Sequence, residues 1–308
     1  MSPPPPLTLV GRLLCAAQQT YEIKVSGAAP PSPAQPAPPP STLVGWEGVP
    51  QCEVAGEDEI NAVMVGETAG EVIVAYRGTL PFDSPDKVQM ILDWIDDIMD
   101  EQVSAPPVPG LVHQGFSGAV NELWDWTLAQ VQAKPKGKPL YVTGHSKGGA
   151  MANIAATKFA AAGMKPYVCT FEAARAGDPD FATGFAKMVT NATRFEFQDD
   201  IVPFLPPGDT FMSIFKSLPE FAAEFGKLQA QVAGDFPNYV PVGDLHFINW
   251  QNQIVPDSLI LDVQRMASIL TLIVELKATQ IIDDHSIGPG SGVANVLCPG
   301  EWPVLLTA

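Results

Sequence analysis

Ten residues, LYVTGHSKGG at positions 140–149, constrain the fold more than any other stretch of this 308-residue chain. The first four are apolar or β-branched, as in a buried strand, and residues 150–163 are rich in small and apolar helix formers. Between them lies a G-x-S-x-G pentapeptide centred on Ser146. A sharp turn from strand to helix leaves no room for side chains beside it, so glycines flank the serine, which is exposed at the positive end of the helix. The stretch predicts a nucleophilic serine with main-chain N–H groups beside it.

Strands and helices alternate around this turn. Apolar strands are predicted at residues 60–65 and 71–76, as a hairpin, and at 167–171 and 193–197, with helices near 113–132 and 181–190. The alternation predicts an α/β fold with a mainly parallel central sheet flanked by helices. Further on, a strand is predicted at 259–263 and a helix at 264–282. The aromatic-rich segment 211–232 is interpreted as a helical cap or lid over the site.

Composition divides the chain into three parts. Residues 1–25 carry a helical apolar face that is predicted to pack on the body, residues 26–45 form a Pro-rich linker, and residues 46–308 form the α/β domain. The first twenty residues lack a basic region and Arg12 interrupts their apolar stretch, so they do not read as a signal peptide. Localisation is therefore left open, with the cytoplasm as the default expectation and export by another route as the alternative.

Charge and cysteine content exclude several classes of partner. Acidic residues outnumber basic ones 34 to 17, for a formal charge of −17, which argues against nucleic acids and anionic membrane surfaces. No run approaches the length of a membrane span. The four cysteines are scattered without a C-x-x-C pair, so no metal site is expected, and disulfides are permitted but not indicated. The predicted chemistry requires no cofactor, and the oligomeric state is left open.

A serine nucleophile needs a general base within hydrogen-bond reach. Of the four histidines, His145 adjoins the serine and is directed away from it, and His113 precedes a helix that begins too early. His285 follows a predicted helix and opens a loop near the C-terminal end, where a base would come. We therefore prefer His285 as the base and keep His246, inside a strand pattern, as the alternative.

The base in turn needs an orienting carboxylate. Asp200 ends a predicted strand and is followed by Ile-Val-Pro, whereas its neighbour Asp199 faces the other way and Asp178 comes too early. The order Ser146, Asp200, His285 is the chain order of α/β-hydrolases. The set therefore predicts a catalytic triad.

An oxyanion needs two hydrogen-bond donors. One is expected from the backbone N–H of Lys147, directly after the nucleophile, and the other from Thr79, in the loop after an early strand.

Six stretches, in this order, resemble the class 3 lipases, the fungal-type triacylglycerol lipase family with an α/β-hydrolase fold. They cover most of the chain: VIVAYRGT (72–79), VHQGF (112–116), YVTGHSKGGAMA (141–152), FEAARAGDPDFA (171–182), DIVPFLPP (200–207) and DHSI (284–287). The resemblance implies Ser146 as nucleophile, Asp200 as acid and His285 as base. It implies Thr79 and Lys147 as the oxyanion donors.

Three departures from the family pattern stand out. Lys147 takes the place of the usual leucine, and we expect its side chain to pair with an acid such as Glu172 or Asp199. Glu-Ala-Ala at 172–174 stands where the family commonly has a Gly-Ser-Pro-like turn. The lid-like segment 211–232 comes later than the fungal lid, which follows the oxyanion strand.

The resemblance and the residues together predict a serine carboxylic-ester hydrolase that degrades lipids, in the first place a triacylglycerol lipase acting through an acyl-enzyme. A lipid or ester substrate, at a lipid–water interface, is the expected partner. A phospholipase A1 or a short-chain esterase on the same triad is the closest alternative. A catalytically silent interaction protein, engaging partners through the Pro-rich segment, is the alternative from another class.

Overall fold

The computed structural model describes residues 7–23, 43–79, 101–208, 238–275 and 277–298. The strands in these ranges are β1 (Gln51–Ala55), β2 (Asn61–Glu67), β3 (Val72–Tyr76), β4 (Gln102–Ser104), β5 (Leu111–His113), β6 (Leu140–His145), β7 (Pro166–Phe171), β8 (Ala192–Phe197), β9 (Asp244–Ile248) and β10 (Ile254–Pro256). The α-helices are α1 (Leu9–Gln19), α2 (Gln114–Gln132), α3 (Lys147–Ala161), α4 (Pro179–Met188), α5 (Leu259–Val274), α6 (Ala278–Asp284) and α7 (Gly292–Leu297).

One large sheet organises these elements. Its strand order is β1-β2-β3-β6-β7-β8-β9-β10, and β4 and β5 form a separate hairpin. The five strands from β3 to β9 run parallel, while β1, β2 and β10 are antiparallel to their neighbours. The predicted α/β fold with a mainly parallel sheet is therefore confirmed. Because β6 lies inside the parallel region, the turn after it opens at the carboxyl edge, where such sheets bind ligands.

Alternating side chains of the strands build a core on each face of the sheet. In β3, Val72, Val74 and Tyr76 contribute to one core, and Ile73 and Ala75 to the other. Helices α2, α3, α4 and α5 pack on the first face, and α1 and α7 pack on the second. Successive side chains of a strand point to opposite faces of the sheet. Because helices cover both faces, both sets of side chains are apolar and the strands read as nearly continuous apolar runs.

The structure also corrects one predicted element. Residues 259–263 were predicted as a strand, but they begin α5, whose buried residues Met266, Ile269 and Leu272 recur at helical spacing. The predicted helix over 264–282 is split between α5 and α6. The proposed cap at 211–232 and most of the Pro-rich linker lie outside the described residues.

Two further features concern membrane-spanning helices and the cysteines. Within the described ranges, no helix combines the length and apolarity needed to cross a membrane. All four cysteines lie in these ranges; each is buried and none forms a disulfide.

Candidate active site

Ser146 occupies the sharp turn between β6 and α3. Its backbone has φ 58° and ψ −130°, a conformation that costs a non-glycine residue about 1–3 kcal/mol and that needs support from its surroundings. The Ser146 N–H donates to the Phe171 carbonyl at 3.2 Å, and the Ser146 carbonyl accepts from the Ala174 N–H at 3.2 Å. The strained turn is thus held by the end of β7 and the loop that follows it.

The glycines around this serine allow strand and helix to approach closely. A methyl group on Gly144 would lie 2.2 Å from the Gly148 carbonyl oxygen, and one on Gly148 would lie 2.2 Å from the carbonyl oxygen of Tyr76. Both distances are far shorter than van der Waals contact. The G-x-S-x-G pattern is therefore a steric requirement of this turn, as the sequence predicts.

Asp200 and His285 form a buried pair. His285 Nδ1 lies 2.9 Å from Asp200 Oδ2, and the Val202 N–H donates to Asp200 Oδ1 at 2.9 Å. Burial lowers the pKa of His285 to about 3, so its imidazole is neutral. Burial raises the pKa of Asp200, and the hydrogen bond from Val202 opposes that rise. A carboxylate that takes the Nδ1–H of a neutral imidazole leaves Nε2 able to accept a proton.

His145 connects this pair to the serine turn. Its Nε2 lies 2.9 Å from the main-chain oxygen of His285, and because a carbonyl only accepts, Nε2 donates. Its Nδ1 is then the acceptor for the Tyr21 hydroxyl, 2.7 Å away. Burial, followed by the neighbouring His285, lowers the pKa of His145 well below its ordinary value, which agrees with a neutral ring. The two imidazole centroids are 4.5 Å apart, so His285 lies beside the residue that precedes Ser146.

Tyr21 brings the loop after β3 into the same cluster. A methyl group on Gly78 would lie 2.1 Å from the Tyr21 hydroxyl and 3.2 Å from Ser146 Cβ, so these residues are in close contact. The backbone of Gly78 hydrogen-bonds the Tyr21 hydroxyl. Before it, the buried guanidinium of Arg77 donates to the main-chain carbonyls of Ile23, Glu59 and Ile60. The loop is thereby fixed against the serine turn.

Glu172 is a buried carboxyl that the sequence marked as a departure from the family pattern and as a partner for Lys147, but not as a neighbour of His145. It directly follows β7, with φ 50° and no exposed surface. Its Oε2 lies 3.2 Å from His145 Nε2, whereas its buried Oε1 has no hydrogen-bond partner in the part of the chain that is described. Burial raises its pKa well above the ordinary value, and the nearby Asp200 adds to that rise.

Of the two predicted oxyanion donors, Lys147 directly follows Ser146 in the chain, and Thr79 belongs to the loop after β3. Thr79 follows Gly78, the residue that packs against Ser146 Cβ. Lys147 is the first residue of α3, where main-chain N–H groups lack an acceptor within the helix. The Lys147 side chain donates to Asn61 Oδ1 at 2.9 Å, a contact that the sequence did not predict. Of the two acids suggested for it, Glu172 contacts His145 instead.

The alternative acids and histidines have other surroundings. Asp199 accepts from Trp250 and Gln280, and Asp178 caps α4. His246 lies in β9 with its ring 5.1 Å from that of Phe195. His113 accepts from the Phe116 N–H at the start of α2. The structure thus brings Asp200 and His285 together at the serine turn, and it does not bring these four side chains into that pairing.

One group of side chains meets the geometry of a metal site within the described ranges. The ligand atoms of His145, Glu172 and His285 lie within 4.8 Å of one another. Each of these side chains already takes part in the hydrogen bonds described above. We therefore assign the cluster to hydrogen bonding.

Comparison with known proteins identifies the family that this chain is similar to. The family model "Lipase (class 3)" matches residues 73–210. A lipase of Rhizomucor miehei is 30% identical over 220 residues, which cover 66% of this chain and 54% of that protein. The secreted mono- and diacylglycerol lipase 1 of Fusarium solani is 34% identical over 145 residues, 44% of this chain and 40% of that protein. The chain thus spans about half the length of the curated relatives it matches.

Solved structures show the same fold. A mutant form of MDLA from Penicillium cyclopium superposes with a TM-score of 0.57 at 17% identity, over 82% of this chain and 86% of that one. The native propeptide complex of Rhizomucor miehei lipase gives a TM-score of 0.50 at 22% identity, over 78% and 67% of the two chains. The predicted resemblance to the class 3 lipases is confirmed, and the fold is the α/β-hydrolase fold.

Proposed function

Because the chain resembles the class 3 lipases, we propose that it is a serine carboxylic-ester hydrolase that cleaves acylglycerols, triacylglycerols in the first place. The observation that carries the proposal is the constellation at one sheet edge. Ser146 lies in a strained strand-to-helix turn, and the buried Asp200–His285 pair contacts the residue before it.

In the proposed reaction, Ser146 Oγ attacks the ester carbonyl while His285 Nε2 accepts its proton. Asp200, at 2.9 Å from Nδ1, stabilises the imidazolium that forms in a site where burial disfavours that charge. His285 then protonates the leaving alcohol, and water hydrolyses the acyl-enzyme by the same route. None of these steps uses a cofactor.

The tetrahedral oxyanion is proposed to accept hydrogen bonds from the main-chain N–H groups of Thr79 and Lys147. Lys147 supports this role because it begins α3, whose dipole and N-terminal main-chain N–H groups favour negative charge. Gly78 supports the role of Thr79, since only a residue without Cβ permits that loop to lie against Ser146. Loss of one such donor typically costs about 3–4 kcal/mol of barrier.

A second substrate class follows from the Fusarium solani relative, whose name assigns it to mono- and diacylglycerols. The proposed chemistry is the same for these substrates, since each carries the same ester bond. The two classes differ in how much acyl chain the site must cover, so a comparison of rates separates them.

The test is hydrolysis of emulsified triolein, diolein and monoolein by wild type and by Ser146→Ala, with folding of both checked by circular dichroism. We expect the rate of hydrolysis of all three substrates to be at least about 10³-fold lower in Ser146→Ala. Wild-type preference for triolein supports the triacylglycerol assignment, whereas turnover of diolein and monoolein alone moves it to partial glycerides. Absence of wild-type turnover, or full activity of Ser146→Ala, would refute the proposal.

Matched variants test the other two members of the triad. His285→Gln is expected to abolish turnover while His246→Gln retains it, because His246 packs on Phe195 away from the serine turn. Asp200→Asn is expected to lower kcat by about 10²–10⁴ through loss of the Nδ1–H tautomer. Asp199→Asn leaves that hydrogen bond intact and should retain most activity. The reverse pattern in either pair would reassign that role.

A further inference from the structure

Glu172 carries three costs at one position. Its positive φ of 50° is disfavoured for a side chain with a Cβ, its carboxyl has no contact with solvent, and Oε1 lacks a hydrogen-bond partner within the described ranges. The proposed reaction uses neither of its oxygens. The remaining oxygen, Oε2, is the one that makes a hydrogen bond, and its partner is His145.

That oxygen meets the N–H that supports the proposed base. His145 Nε2 is shared between the main-chain oxygen of His285 at 2.9 Å and Glu172 Oε2 at 3.2 Å. On the other side of the ring, Tyr21 donates to Nδ1 at 2.7 Å. The imidazole of His145 is thereby fixed from both sides. The main-chain acceptor of this ring is the carbonyl of His285, and the ring of His285 is paired with Asp200.

We propose that Glu172 is a positioning residue: its carboxyl holds His145 in the tautomer and orientation that donate to the His285 carbonyl, and so sets the base against Ser146. The inference rests on the proposed function, because it concerns His285 as the base. Glu172 itself touches no reacting atom and acts through His145.

Other titratable groups face Glu172 from the elements packed around it. Carboxyl groups face it from β8, which supplies Glu196 and leads to Asp200, and from α6, which supplies Asp284. The imidazoles facing it, those of His145 and His285, are kept neutral by burial. The Tyr21 hydroxyl and, beyond it, the Arg77 guanidinium complete the cluster. The carboxyl of Glu172 accepts the His145 N–H through an oxygen, as a glutamine amide would.

The test compares three variants in the full chain: Glu172→Gln, Glu172→Gly and Tyr21→Phe. Each is assayed for kcat and KM on p-nitrophenyl butyrate, for the rate at which a fluorophosphonate labels Ser146, and for the midpoint of thermal unfolding. The labelling rate reports on serine activation without any assumption about the natural substrate. Glu172→Gln retains the acceptor for His145, so we expect kcat and labelling within threefold of wild type.

Glu172→Gly removes the acceptor and at the same time relieves the positive φ and the unpaired oxygen. We expect at least tenfold lower kcat and labelling rate, a KM within twofold, and an unfolding midpoint that does not fall. Tyr21→Phe is expected to lower kcat similarly, and the Tyr21→Phe/Glu172→Gly double variant to lose less than the product of the single losses, because both act on His145. A purely structural role predicts instead that activity falls only together with the unfolding midpoint.

The outcomes separate the two proposals. Wild-type activity that depends on Ser146, together with unchanged kcat and labelling in Glu172→Gly, overturns the positioning role and leaves the proposed function intact. Losses as large in Glu172→Gln as in Glu172→Gly also overturn it. Should Glu172→Gly fail to fold, the comparison of Glu172→Gln with Tyr21→Phe decides: wild-type labelling in Tyr21→Phe refutes the fixation of His145 from both sides. Loss of ester hydrolysis with normal labelling contradicts the proposed function alone.

Discussion

Gly148→Ala tests the strand-to-helix turn directly. The added methyl group would lie 2.2 Å from the carbonyl oxygen of Tyr76 and 2.8 Å from the carbonyl carbon of Arg77, where 3.0 Å is the shortest approach that real Cβ atoms make. Helix α3 must therefore shift from β3 by about 0.8 Å, the difference between 3.0 and 2.2 Å. The obstructing atoms are backbone, so no rotamer change relieves the contact. Overpacking of this kind costs about 1–3 kcal/mol.

The same shift displaces Ser146 and the N–H of Lys147 from the loop after β3. A misplacement of about 1 Å in a catalytic constellation lowers the rate by roughly 10²-fold. We therefore expect Gly148→Ala to lose both stability and most of its ester hydrolysis, measured as the guanidinium midpoint by tryptophan fluorescence and as turnover of p-nitrophenyl butyrate.

Gly118 provides the matched control, since it also lies in a helix, α2, but is exposed. A methyl group there meets no described atom within 4 Å. Alanine is favoured over glycine inside helices by about 0.5–1 kcal/mol, so Gly118→Ala should be slightly more stable and fully active. If Gly148→Ala matched Gly118→Ala in both measurements, the steric account of the turn would be wrong.

Three further predictions concern one capping side chain and two titratable groups. Asp178→Ala removes the acceptor of the Phe181 N–H at 2.7 Å and of the Leu111 N–H at 3.1 Å, and should cost about 1–2 kcal/mol of unfolding free energy in denaturant titrations. Burial raises the pKa of Asp284 from 3.8 to about 7, so between these pH values the folded chain binds an extra proton and its stability falls as pH rises. Asp284→Asn should therefore flatten the dependence of the thermal unfolding midpoint on pH between pH 4 and 7. An unchanged slope would contradict this. Because burial lowers the pKa of His285 to about 3, kcat/KM for p-nitrophenyl butyrate should hold down to about pH 5, whereas an acidic limb centred near 6.5 would show an ordinary imidazole.

The fold was largely predictable because its signals are local. The strands that meet at the serine turn are almost entirely buried, so they appear in the sequence as runs of mostly apolar or β-branched residues. The wrong prediction at 259–263 has the same origin, because four of these five residues are apolar and read as a strand. Only the spacing of Met266, Ile269 and Leu272 beyond them reveals a helix. The edge strand β1 and the hairpin of β4 and β5 were not predicted, because short, partly exposed strands carry little periodicity.

The parts of the candidate site that follow strands of the parallel sheet were predictable, because their order in the chain determines where they lie. Ser146, Asp200 and His285 follow β6, β8 and α6, and the ends of parallel strands meet at one edge. Tyr21 was missed because its contact with His145 spans 124 residues and is created by packing of the N-terminal segment. Its position reads only as one apolar residue in a helical pattern. The contact of the Lys147 side chain with Asn61 was missed for the same reason, since Asn61 lies 86 residues away.

The two strained residues of the site support each other, which explains how both persist in one small region. Ser146 and Glu172 have φ values of 58° and 50°, and they follow the neighbouring parallel strands β6 and β7. The Ser146 N–H donates to the residue before Glu172, and the Ser146 carbonyl accepts from the residue two positions after it, Ala174. The backbone of one turn therefore satisfies the backbone of the other, and neither can relax to negative φ without breaking a hydrogen bond of its neighbour. Strain at the proposed nucleophile is thus held in place by the same loop that carries the carboxyl behind its base.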